Sequence, residues 1–111
     1  MSESTPKPLA ANLRKTFELL RLLAGHEVLG LAPAEIAKAL GVSPSWVSIN
    51  LPAIEAETHF VERVAGTNRW RLGVPLVRIA ITVSSNLNQA KRQLEELSQR
   101  YAVPVHTPKE R

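Results

Sequence analysis

The chain has 111 residues, a net charge of +4 and no cysteine. That length holds one domain plus a helical extension around a modest core, and the missing thiols exclude disulfides, thiolate metal sites and cysteine nucleophiles. No run approaches the length of a membrane-spanning helix, and the composition suits a reducing cytoplasm, the expected location.

Residues 1–9 are polar and proline-bearing, and read as a flexible tail rather than a signal peptide. From Pro33 the pattern turns helical. Pro33 suits the first helical position, where its missing N–H is no loss, and Ile36, Ala37 and Leu40 share one face. Gly41 stands where a helix stop favours positive φ. Ser43 then offers an N-cap and Pro44 a second first-turn proline, so a new helix begins three residues after the first ends. Val47, Leu51 and Ile54 form its buried stripe. At about 100° per residue, Ser45, Ser48, Ile49 and Pro52 face outward, with Trp46 and Asn50 on the flanks. So short a turn makes the helices cross steeply, as a helix-turn-helix requires. Pro52 deletes one i→i−4 bond and is expected to kink or shorten the second helix.

A hairpin follows. Glu62 to Val64 and Arg69 to Leu72 flank the loop Ala65-Gly66-Thr67-Asn68. Alternation puts Trp70 and Leu72 on one face as an apolar anchor, and turns Arg69 and Arg71 outward on the other. Helix, turn, helix and hairpin in that order predict a winged helix-turn-helix over residues 10–73, mainly α with a small β-hairpin, which offers one helix to the DNA major groove. Candidate DNA contacts are Ser43, Ser45, Trp46, Ser48, Ile49 and Asn50 on the reading helix, and Thr67, Asn68, Arg69 and Arg71 on the wing. Serine hydroxyls can bond phosphates or base edges, and Ile49 can pack on a thymine methyl. For Trp46 a wedge in the core is an equal reading.

Positive charge gathers at Arg63, Arg69, Arg71 and Arg78, whereas Ser43 to Ala53 carries no charge. Affinity is then expected from the wing, from Arg14, Lys15 and Arg21, and from dimerisation. The rival reading is a winged-helix protein-interaction or assembly module, with Trp46, Ile49 and Pro52 as its contact surface. Catalysis is not expected. All acidic residues are glutamates, and His26, His59 and His106 lack metal-ligand spacing. No Gly-rich phosphate loop follows a strand. No cofactor, metal, membrane partner or small-molecule effector site is expected in this chain.

Beyond the wing, Val77, Ile79, Ile81 and Val83 alternate like a strand, while Leu76, Ile79, Ala80, Val83 and Leu87 fit a helix starting at Pro75. Periodicity leaves both open. Leu87, Ala90, Leu94, Leu97 and Tyr101 follow alternating three- and four-residue steps, a seam for a symmetry mate or for a cap over the first helix. Residues 74–103 are expected to be a helical linker and dimerisation segment, with Val77, Ile81, Leu87, Leu94, Leu97 and Tyr101 as contacts, and 104–111 a second tail.

From about Leu13 to His106 the chain resembles the N-terminal DNA-binding domain of IclR-type bacterial transcriptional regulators, with the linker helices but without the effector domain. The matching pieces are LRKTFELLRLLA, AEIAKALGVSPSWVS, FVERV, NRWRLG, PLVRIA and QLEELSQRYAVPVHT. The resemblance implies an opening helix, DNA binding and regulation of transcription, and it tips residues 76–83 to helix. Asn50 stands where the family usually has a core leucine, and His59 where it often has a glycine, which implies a turn residue. The family's ligand-sensing domain would begin where this chain stops. A fragment and a stand-alone protein of phage or mobile-element origin both fit that pattern.

Overall fold

The computed structural model describes residues 5–106, with side chains as far as Ala102. Residues 5–10 are exposed and take no regular secondary structure. The elements that follow are α1 (Ala11–Leu23), α2 (Pro33–Leu40), α3 (Pro44–Thr58), β1 (Val61–Arg63), β2 (Trp70–Leu72) and α4 (Val74–His106). The architecture is mainly helical with one two-stranded antiparallel hairpin, and is compatible with a winged helix. Contacts divide the chain into two compact units after Val77.

Local chemistry explains the helix ends. Pro33 opens α2, and the Glu35 carboxylate accepts the Ala32 N–H at 2.8 Å, satisfying one of the orphan donors of the first turn. Gly41 ends α2 in the left-handed region, at φ 68°. The Ser43 hydroxyl accepts the Trp46 N–H at 3.0 Å and caps α3, with Pro44 in its first turn. His59 ends α3 at φ 56°, the turn role that the resemblance implies for it. Left-handed non-glycine residues are uncommon, and short polar or imidazole side chains are enriched among them. Earlier in the chain, the Gly25 N–H and its own backbone N–H hold the Glu27 carboxyl below the ordinary range by stabilising its charged form.

The core joins every element of the first unit. Leu19 and Leu23 of α1 meet Ile36, Ala37 and Leu40 of α2, Val47 and Leu51 of α3, Val61 of β1 and Trp70 of β2, all buried. Full burial of one such aliphatic side chain contributes about 1.5–3 kcal/mol, so this cluster holds the unit together. β1 and β2 pair in the register Val61↔Leu72, Glu62↔Arg71 and Arg63↔Trp70. Leu31 adds an antiparallel bridge to Trp70 through two 2.8 Å bonds, which seats the hairpin on the segment before α2. Gly73 follows the hairpin because nothing larger fits: a Cβ there would stand 1.9 Å from the His59 carbonyl oxygen.

Three expectations are corrected. Pro52 does not shorten α3, which runs unbroken for 15 residues. The side chain of Pro52 is exposed, so its ring meets solvent, and the lost N–H forfeits only the bond to the Ser48 carbonyl. The strand ladder closes one residue earlier than the sequence suggests, at Arg63 and Trp70, because the Val64 carbonyl turns to the Thr67 N–H and hydroxyl and the Arg69 N–H to the Thr67 hydroxyl. α4 is a single helix of 33 residues that includes 76–83 and continues to His106. Residues 104–106 are thus helical where a tail is expected, since a proline near a helix end removes a single bond. Residues 1–4 and 107–111 of the expected tails lie outside the described residues.

Candidate nucleic-acid interface

α3 carries two contrasting faces. Val47 and Leu51 are buried and Ile54 packs beside them, while Ser45, Ser48, Ile49 and Pro52 are exposed on the opposite side. Ile49 keeps 67% of its surface open, and the strip holds no charge. Its polar groups are partly committed to the helix itself. The Ser43 hydroxyl serves the cap, and the Ser48 hydroxyl donates to the Ser45 carbonyl at 3.1 Å.

Trp46 and Asn50 are half-buried on the flank that turns toward α1. The Trp46 indole N–H donates to Asn12 Oδ1 at 2.6 Å, and Asn50 Nδ2 donates to the Trp46 carbonyl at 2.9 Å. Trp46 also packs at the edge of the core. Beside it, Ala11, Asn12, Lys15, Val42, Ser43 and Trp46 line an open groove of about 410 Å³. Asn12 escaped the sequence reading because it lies 34 residues from its partner, beyond any local pattern.

In the hairpin loop, the Thr67 hydroxyl donates to the Val64 carbonyl at 2.8 Å and accepts the Arg69 N–H at 2.9 Å, so this side chain builds the turn. Asn68 is exposed at the tip. The sequence turns Arg69 and Arg71 outward, but each guanidinium folds back on an acceptor. Arg69 donates to the Leu29 and Gly30 carbonyls, both at 3.0 Å, and reaches Glu35 at 3.3 Å. Arg71 pairs with the cross-strand Glu62 at 2.8 Å. Both arginine side chains remain about a third exposed. Arg63 lies over the Trp70 ring, 4.9 Å from its centroid, with its own surface exposed.

The α1 cations divide similarly. Lys15 donates to the Leu40 carbonyl at 2.7 Å, a cation at the C-terminal end of α2. Arg14 bonds the Leu9 carbonyl at 3.1 Å, and Arg21 is exposed. Among the described residues no three His, Cys, Asp or Glu side chains gather as a metal site would require, and no helix is long and apolar enough to cross a membrane.

No family model and no curated protein sequence matches the chain. Among solved structures it is similar to a protein from Silicibacter sp. TM1040, provisionally described as an IclR transcriptional regulator. The two share 27% identity at a TM-score of 0.58 over 79% of this chain. The chain spans 35% of that protein's length, about a third. The likeness is to a regulator's fold.

Proposed function

We propose that the chain is a winged helix-turn-helix protein that binds double-stranded DNA sequence-selectively, as a dimer, and regulates transcription. On this reading it is an IclR-like DNA-binding protein of the cytoplasm rather than an enzyme, and uses no cofactor. One observation carries the proposal: α3 is anchored by Val47 and Leu51 and leaves Ser45, Ser48 and Ile49 uncovered on its other face, two residues before a hairpin begins. A helix with one uncovered face beside a wing matches what the major groove admits. The likeness to a provisionally described IclR regulator supports the same reading.

The test is selection of duplexes from a random pool, followed by binding at graded salt. The expected result is an inverted repeat with half-sites about one DNA turn apart or a multiple of it, and a steep loss of affinity with salt. No enriched sequence and a flat salt response would overturn the proposal.

Replacing Ser48 and Ile49 by Ala should change which sequence is preferred, at about 1–3 kcal/mol for each well-used base contact. A double variant that keeps both affinity and preference would take α3 out of the groove. The assembly-module reading would then gain, since exposed Ile49 on an uncharged strip also suits a protein partner.

A further inference from the structure

We propose that Trp46 is a positioning residue, which together with Asn12 and Asn50 sets the rotation of α3 against α1 and so decides which α3 side chains meet base edges. The inference rests on the DNA-binding reading given above. Three polar side chains make a closed circuit between the two helices. The Trp46 indole donates to Asn12 Oδ1 at 2.6 Å, the Asn12 amide nitrogen approaches Asn50 Oδ1 at 3.5 Å, and Asn50 Nδ2 returns to the Trp46 carbonyl at 2.9 Å. The last leg ties Asn50 to the same turn of α3, while the first two cross to α1.

Apolar burial sets that rotation coarsely, because a large roll of α3 would lift Val47 and Leu51 off the core. Within that range hydrophobic attraction has no directional preference. Hydrogen bonds prefer near-linear geometry and weaken steeply away from it, so the indole bond resists the roll. It acts in the first turn of α3, beside Ser45, Ser48 and Ile49. Trp46 has one donor and it is used on Asn12, which leaves no hydrogen bond for a base. Asn50 is half-buried on the same flank of α3, where its amide meets Asn12 and the Trp46 carbonyl.

The experiment measures affinity for the selected duplex relative to a scrambled one. Trp46→Phe keeps a ring and deletes the donor; Asn12→Leu deletes the acceptor from an exposed site on α1; Asn12→Asp retains an acceptor. Trp46→Phe and Asn12→Leu should each lower the ratio about fivefold, the order of one net hydrogen bond, with the salt slope unchanged. The double variant should be no worse than either single one, and Asn12→Asp should stay near wild type.

A ratio that falls in Trp46→Phe but not in Asn12→Leu would mean that Trp46 touches the DNA itself, and would overturn the assignment. So would unchanged ratios in both. In the free protein the indole N–H should be protected from solvent exchange in wild type and in Asn12→Asp, and lose that protection in Asn12→Leu. An unprotected wild-type indole in a protein that still discriminates between duplexes overturns the positioning role alone. A protected indole in a wild-type chain that does not discriminate overturns the DNA reading, and the positioning role with it.

Discussion

Arg69 sends its guanidinium to the Leu29 and Gly30 carbonyls and to Glu35, while Arg71 pairs with Glu62. The two side chains are equally exposed, so the difference lies in what each leaves behind when removed. Arg69→Ala strands a carbonyl at Gly30, which is buried, and leaving such a group unpaired costs about 1–3 kcal/mol. The melting temperature of the free protein should fall. Arg71→Ala breaks a surface pair worth about 0–1 kcal/mol, so stability should hold while the salt slope of DNA binding drops by about one. Thermal melts and salt titrations of the two single variants check both outcomes, and a reversal would exchange the roles. Strand alternation predicted an outward face for both arginines, but Arg69 lies before β2 and each guanidinium folds back onto an acceptor. Their partners were less so. The loop length already opposes Glu62 to Arg71, but Glu35 stands 34 residues before Arg69, and only the folded chain brings them together.

At the level of elements, what was legible followed the chemistry of helix ends. Pro33, Gly41, Ser43 and Pro44 act on backbone groups within three or four residues, so their positions announce themselves. The body of α3 was harder, because a proline's cost depends on what surrounds its ring. Pro52 is exposed and sits within an unbroken helix. Pro52→Ala should therefore restore the bond to the Ser48 carbonyl and stabilise the protein by about 1–3 kcal/mol, at most the full interior-proline penalty. A higher melting temperature with unchanged helical signal is the expected outcome, and a lower one would mean that the ring contributes packing. Residues 76–83 were ambiguous for a different reason. Their β-branched run fits a strand and a helix equally, and the choice was settled by a continuous helix from Val74 onward, not by anything within the segment. The Leu31 bridge to Trp70 was invisible, being two hydrogen bonds made by a stretch with no strand pattern of its own.

For the whole molecule, the large question is what meets α4. Every residue from Arg78 to Ala102 is exposed, including Ile81, Val83 and Leu87. Because α4 is unbroken, the seam read from Leu87 to Tyr101 extends back through Val83 to Ala80 at the same alternating three- and four-residue steps. Leu94 is 66% exposed and Tyr101 70%. An apolar stripe of this kind usually marks a partner surface, and a repeat of about 3.5 residues is the period that two helices share when they pack on each other. A second copy is the partner we propose, since a two-fold dimer would bring two α3 strips and two hairpins to one duplex. Each strip is uncharged, and Arg69 and Arg71 of each wing are tied to glutamates, so on the DNA-binding reading one copy should hold a duplex weakly. Two linked contacts add their free energies with a single association penalty. Sedimentation at micromolar concentration should therefore give the mass of a dimer. Leu94→Glu with Leu97→Glu should give a monomer whose DNA affinity is lower but whose melting is little changed, because neither side chain belongs to the buried cluster. A wild-type chain that sediments as a monomer, with the variant binding DNA equally well, would remove the seam from assembly and leave α3 and the wing to act alone.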